Sequence, residues 1–312
     1  MRALSTKSFA VGFGLLAITN TCVFAAGLAR TAVSVTGVDT NPCTPAAPCR
    51  TINYALTATA PGGELLVLNS GGYGAFTVTQ SVKIMAPGGN LAALTAQSGS
   101  GITISAGPQD EVFLEGFYID GMGTGTTGIK VNSVGSLRIS NSTILGFPTG
   151  IDFSPNNTER IAGLNLRGVL VTDATNAALS VTPAGGVTGV SARVFIKDCD
   201  FTSSLIFDSS SVVGRVATQI DGTSIRNITS AVVANSPNGT GSFVQVMRSE
   251  IFASTNALTA NGQNATILIG DSNVSHVSTV ANIQNAGQIF TFGTNQIYNY
   301  NTLGTLTLRS LQ

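Results

Sequence analysis

A short pattern recurs along this chain and limits its fold more than any other feature. It consists of two apolar residues one position apart, a turn-type residue two positions later, and a further apolar residue three positions after that. It fits Val112/Leu114/Gly116/Ile119, Leu137/Ile139/Asn141/Ile144, Leu164/Leu166/Gly168/Val171 and Val194/Ile196/Asp198/Phe201. It continues through Thr218/Ile220/Gly222/Ile225, Val244/Val246/Arg248/Ile251, Ile267/Ile269/Asp271/Val274 and Phe290/Phe292/Thr294/Ile297, with an incomplete earlier unit at Val82/Ile84. Successive units lie 23 to 30 residues apart, which is the length of a coil and too short for a domain. A second apolar stretch follows many of the anchors, as in GIKV at 128–131, GIDF at 150–153 and ALSV at 178–181.

Each unit therefore holds about three short strands with period-2 alternation, separated by turns. Such a unit cannot bury its apolar face alone. Stacking the units into a right-handed parallel β-helix of about nine to ten coils buries one continuous core, with coils about 4.8 Å apart. A sandwich of short strands is the competing architecture, since it also turns every few residues. The turn positions favour the solenoid. Gly116, Asn141, Gly168, Asp198, Gly222 and Asp271 are types that tolerate positive φ, so Asp198 and Asp271 read as turn formers and not as catalytic acids.

Composition agrees with a β-rich, turn-rich chain: charged residues make up 10%, Trp is absent and Gly numbers 36. Lys and Arg number 15 against 15 Asp and Glu, with no basic run to follow a phosphate backbone, so nucleic acid is excluded as a partner.

The first residues carry Arg2 and Lys7, an apolar run from Phe9 to Ile18, and Val23-Phe24-Ala25 with small residues at cleavage positions. This reads as a signal peptide over 1–25, with Cys22 lost alongside it. The apolar run is too short to span a bilayer, and no transmembrane segment is expected in the mature chain. Residues 26–312 are expected to form one domain: a disulfide loop and capping helix over 43–61, coils over about 64–300 and a tail over 301–312.

The open end of a solenoid exposes core and strand edges, so it needs a cap. RTINYALTATA places Ile52, Ala55, Leu56 and Thr59 on one helical face and stops at Pro61-Gly62-Gly63. Cys43 and Cys49 precede this helix in an exported chain, where a disulfide persists and fixes the helix entry. Cys199 is left unpaired.

The run Val33-Ser34, Gly37-Val38-Asp39, Pro42-Cys43, Pro48-Cys49-Arg50-Thr51-Ile52, Ala55-Leu56, Gly62-Gly63, Leu66-Val67-Leu68 and Gly72-Tyr73 resembles the start of secreted bacterial proteins of the pectin-lyase-like superfamily. The resemblance, with the coils behind it, covers residues 33 to about 300. It implies a capping helix ahead of a right-handed parallel β-helix. It does not choose among lyases, glycoside hydrolases, adhesins and other members.

The superfamily's enzymes carry motifs that can be sought here. The Arg-x-Pro-x-x-Arg segment and calcium-binding carboxylates of pectate lyases are missing, as are the Asn-Thr-Asp, Gly-His-Gly and Arg-Ile-Lys motifs of polygalacturonases. The single His, His276, falls on an outward or turn position without an evident orienting partner. The GIKV-type strands present Lys130, Asp152, Ser180, Ile206, Val233 and Thr259, a poor oxygen set for calcium. No metal site and no cofactor is expected.

Asp200 and Glu250 share a column two coils apart, a predicted ~9.6 Å, at the outer limit for inverting hydrolysis. They are the candidate catalytic pair. Another outward column reads Phe113, Arg138, Asn165, Phe195, Gln219 and Gln245, beside Glu115, Ser140, Arg167, Lys197 and Asp221. Rings, guanidinium forks and amides suit a sugar ledge, which makes Phe113, Arg138, Arg167, Phe195 and Lys197 the candidate ligand-binding residues. An ordinary solvated sheet presents the same residue types.

The chain thus reads as a secreted, periplasmic or surface-exposed protein that presents a repetitive face as a non-catalytic scaffold, polysaccharide binder or adhesin. A polysaccharide lyase or glycoside hydrolase with an unfamiliar active site is the competing reading. One prediction follows from the cysteines. A digest of the exported protein without reductant should yield Cys43 and Cys49 in one peptide about 2 Da lighter than its reduced form. Complete alkylation of both thiols without reductant would overturn the bridge.

Overall fold

The structure is a computed structural model that describes residues 27–310 except 187, 212, 213 and 239, so the expected signal peptide and Cys22 lie outside the described residues. Parallel strands stack coil on coil around three faces. Face one is a 12-stranded sheet that begins at Leu28–Val33 and Thr59–Val67 and ends at Gln288–Thr291 and Thr307–Leu308. Faces two and three belong to one 16-stranded sheet. They are joined because Ser224–Asn235 pairs through its first residues with Asp200–Phe201 on face two and through its last with Leu205–Asp208 on face three. This is the expected right-handed parallel β-helix, of about nine turns and, among the described residues, with a single helix.

Alternation along each strand sorts inside from outside. In Val190–Lys197, Val194 and Ile196 are buried while Arg193, Phe195 and Lys197 are exposed. The stacking is in register, so like lies over like. Leu114, Ile139, Leu166, Ile196, Ile220, Val246 and Ile269 form one inward column. Each such buried side chain contributes roughly 1.5–3 kcal/mol over leaving it in water.

The turn from face one to face two rests on one left-handed residue per coil. Gly116, Asn141, Gly168, Asp198, Gly222 and Asp271 all have positive φ, as their types predict. Arg248 also does, at φ 48°, although its type gives no such signal.

Beneath several of these turns runs a buried ladder of hydroxyls, interrupted by Phe117 and Val169 after Gly116 and Gly168. Ser249 Oγ accepts from Thr223 N at 3.2 Å and donates to Met247 O at 2.7 Å. Ser272 repeats the arrangement one coil on, with Ser249 N at 3.2 Å and Gly270 O at 2.8 Å. Cys199 occupies the equivalent rung in its own coil. Its Sγ donates to Lys197 O at 3.2 Å, and burial pushes the thiol up to about 11 against the pull of hydrogen bonds from Val169 and Gly168. The unpaired cysteine is thus a rung of the ladder.

In the last full coil the structure departs from the sequence pattern. Ile289, not Phe290, stacks on Ile267, and Phe290 points outward in register with Leu268, beneath the Arg309 guanidinium at 4.0 Å. Gly293 takes the left-handed turn there at φ 79°, one residue ahead of the Thr294 that the sequence pattern places at it, and the strand stays in register with the coil before it.

The two ends also differ from the expected boundaries. The coils begin at Leu28–Val33, ahead of the disulfide loop, and the first strand pairs with Thr59–Val67. The helix is Ile52–Ala58, inserted between these strands, and buries Ile52 and Ala55 against the end of the core. Thr59 ends it early by donating its hydroxyl to Ala55 O at 2.7 Å, and Pro61, Gly62 and Gly63 then lie in the strand. At the other end, Gln296–Gly304 and Thr307–Leu308 carry strand pairing into the expected tail.

The Cys43–Cys49 disulfide is formed, with Cα atoms 4.6 Å apart and both residues buried. Asp39 ties this loop to the helix. Its Oδ1 accepts from Arg50 N and Thr51 N at 2.9 Å each, its Oδ2 from Thr51 Oγ1 at 2.9 Å, and Thr51 caps the helix through Tyr54 N. Burial raises the pKa of this carboxyl, but the bonds from Thr51 and Arg50 outweigh it and hold the group below the usual carboxylate range.

The hydroxyl ladder predicts how Cys199 tolerates change. Cys199→Ser should lie within about 1 kcal/mol of the parent in urea unfolding, while Cys199→Val should cost about 1–3 kcal/mol by leaving a buried N–H without its acceptor. Equal stability of the two variants would remove the ladder from the account.

Candidate functional site

The expected outward columns exist. Phe113, Arg138, Asn165, Phe195, Gln219 and Gln245 are successive register partners on face one. Glu115, Ser140, Arg167, Lys197 and Asp221 form the neighbouring column, although Ser140 is buried. A third column, Glu111, Ser136, Gly163, Arg193 and Ala217, runs on the other side.

Relief on this face comes from side-chain size. Gly163 carries no side chain between Ser136 and Arg193, which opens the floor beside Arg138 and Phe195. Gly163 lines a depression of about 600 Å³, two others of about 610 and 590 Å³ adjoin it, and Arg138 lines all three. The first reaches Glu64, Lys83 and Phe113, the second Asn165, Arg193 and Phe195, and the third Glu115 and Arg167. Together they make one groove along the helix axis. A loop carrying Glu159 and Arg160 forms its wall, and Arg160 donates to Gln109 across it.

Four of the five sequence-derived ligand residues line this groove. The fifth, Lys197, is the register partner of Arg167 on its border. Arg193, Arg160 and Gly163 were missed by sequence reasoning. A glycine at an outward position in mid-strand was the available signal for the third.

The electrostatics are uneven. At one end Glu64 is engaged by Arg30 at 2.8 Å and faces Lys83 at 3.9 Å; the Arg30 hydrogen bond and charge lower its pKa. Glu115 accepts from Asn141 Nδ2 at 3.2 Å. Among the described residues, Arg138, Arg167, Arg193 and Lys197 are exposed and make no ion pair. Phe195 leaves 48% of its surface open beside them.

Asp200 and Glu250 do share a column, with Ser224 between them. They do not meet over one cavity. Asp200 Oδ2 accepts from Arg226 Nη2 at 2.6 Å, while Glu250 borders a separate cleft with Arg248, Asp271, Asn273 and Gln296. On face three, Lys130, Asp152, Ser180, Ile206, Val233 and Thr259 align as expected. Among the described residues no three His, Cys, Asp or Glu side chains gather as metal ligands.

No known family model and no curated protein matches the sequence. Solved structures do match. The crystal structure of pectate lyase Pel9A is 12% identical over 88% of this chain and 78% of its own, with a TM-score of 0.58. The fold is pectin-lyase-like. The GH136 lacto-N-biosidase from Eubacterium ramulus is 11% identical over 90% of this chain and 68% of its own, with a TM-score of 0.56. At such identity the likeness carries the fold and no residue's role.

The inside–outside register of the groove predicts a contrast between neighbours. Ile196→Ala should cost roughly 2–5 kcal/mol through the cavity it leaves. Phe195→Ala should stay within about 1 kcal/mol of the parent, because a ring half open to water loses little on truncation. Denaturant midpoints of the two variants check this, and equal losses would displace every outward residue named above.

Proposed function

We propose that the protein is an exported, non-catalytic polysaccharide-binding protein and that the groove of face one holds an acidic glycan chain along the helix axis. The observation that carries this reading is the set of exposed cations without ion partners, Arg138, Arg167, Arg193 and Lys197, beside the rings of Phe113 and Phe195. Phe113 and Phe195 are three coils apart, or ~14 Å at the strand spacing. Sugar rings stack on aromatic faces, guanidinium forks bind carboxylate or sulfate in bidentate fashion, and the Asn165 and Gln219 amides serve hydroxyls. The disulfide supports an oxidising compartment. The solved neighbours named for acting on pectate and on a lacto-N-bioside support a glycan as the partner class.

The test is a glycan array of acidic and neutral polysaccharides, followed on every hit by assays for new reducing ends and for unsaturated products. Binding of uronate or sulfated chains should weaken as salt rises. Arg138→Ala and Phe195→Ala should each lower affinity by about tenfold, or roughly 1.4 kcal/mol. Product release from any hit would replace this reading with the enzyme reading, and failure of all acidic chains to bind would refute the groove's role.

A further inference from the structure

A second site lies at the far end of the molecule, on the ridge between faces two and three. In the last coils the chain turns this corner without leaving its strands, which run as Glu250–Asn261, Asn273–Gln284 and Gln296–Gly304. The bend is made by one left-handed residue per coil: Ala253 at φ 52°, His276 at φ 54° and Asn299 at φ 52°. Ala is costly in this conformation and His is uncommon, so the surrounding structure holds them there.

The kink stacks side chains from successive coils. The His276 ring lies 4.8 Å from that of Phe252 and 6.3 Å from that of Tyr298, and Asn299 Nδ2 approaches His276 Nε2 at 3.3 Å. Phe252 and Tyr298 leave 36% and 46% of their surfaces open. The Asn273 and Ser275 side chains beside the Tyr298 oxygen lower its pKa. The rings form a ladder with one aromatic per coil.

A cleft of about 610 Å³ flanks the ladder on the face-two side, lined by Arg248, Glu250, Asp271, Asn273 and Gln296 among others. Glu250, Asn273 and Gln296 are successive partners in one outward column, next to the column of Phe252, Ser275 and Tyr298. Its charge differs from that of the face-one groove. Arg248 Nη2 is paired with Asp221 Oδ1 at 2.7 Å and also interacts with Asp271, so with Glu250 the acids here outnumber the cation and repel an acidic chain.

We propose that this ridge is a second glycan-binding site, specific for an uncharged, hydroxyl-rich chain lying parallel to the helix axis. The coil spacing of ~4.8 Å is close to the length of one hexose in an extended β-linked chain. Phe252 and Tyr298, two coils apart, then stand beneath alternate sugars, which in such a chain present the same face. The column beside them supplies both kinds of hydrogen-bonding group: Glu250 accepts, and Asn273 and Gln296 accept and donate.

The experiment titrates the full chain with cellohexaose, mannohexaose, xylohexaose and hexagalacturonate by calorimetry and follows the ring nitrogens of His276, the one His of the sequence, by NMR. At least one neutral hexasaccharide should bind and shift the His276 signals. Tyr298→Ala and Phe252→Ala should weaken that binding about tenfold or more, by removing stacking surface. Arg138→Ala should leave it unchanged, which separates this site from the groove of face one. No binding by any of the three neutral chains, binding without a His276 shift, or binding undiminished in both aromatic variants would overturn the proposal. The His276 readout needs only the parent protein, so it decides even if a variant fails to fold.

Discussion

The structure depends on one constraint: each strand hydrogen-bonds in register to the strand one coil on. Because the side-chain period is two and the register does not drift, an apolar residue in one coil requires an apolar residue in the next. The inward column from Leu114 to Ile269 and the outward column from Phe113 to Gln245 are two results of the same alignment. Core and outer face are therefore written together, and a shift of one residue would exchange them. The last full coil keeps the alignment where the sequence pattern suggested otherwise. Gly293 takes the turn, so Ile289 continues the inward column of Ile267 and Phe290 stays outside in register with Leu268.

The turns make this repetition tolerable to a backbone that must bury polar groups. Under several turns a hydroxyl accepts an N–H from the neighbouring coil and returns its own proton to a local carbonyl, while buried Phe117 and Val169 fill the same position after Gly116 and Gly168. Such a rung needs a small donor and acceptor, so Ser, Thr and Cys can all occupy it. Cys199 is buried and pushed towards its neutral form by that burial, and its place in the ladder accounts for it without any reactive role.

Most of this was legible in the sequence, and the illegible parts share a cause. The anchors, turn residues, helix and disulfide are local signals, and each reads from a few neighbouring positions. The helix ended early because Thr59 bonds back to Ala55, a choice that Pro61-Gly62-Gly63 does not announce. The first strand, Leu28–Val33, was missed because its partner lies beyond the inserted loop and helix. For the candidate site, the outward columns were readable from the period. The groove was not, since its floor depends on Gly163 having no side chain and its wall on a loop that reaches back to Gln109. The ridge of Phe252, His276 and Tyr298 depends on left-handed Ala253, a residue whose type carries no such instruction, and on His276 stacking between rings one coil to either side.

The two ends of the solenoid give the molecule a mechanical polarity. At one end Leu28–Val33 is held beneath a loop closed by a disulfide and a helix set against the core. At the other, among the described residues, Gln296–Gly304 is paired with Asn273–Gln284 alone, and its side chains are almost all exposed. A pull on the C-terminal side loads the hydrogen bonds of one coil at a time, as in opening a zip, and each step frees a length of chain set by the repeat. A pull on the N-terminal side strips Leu28–Val33 and then reaches a loop whose own disulfide limits how far it can extend. Tethered by its first coil, such a protein would extend under load in regular increments and keep its anchored end folded to the last.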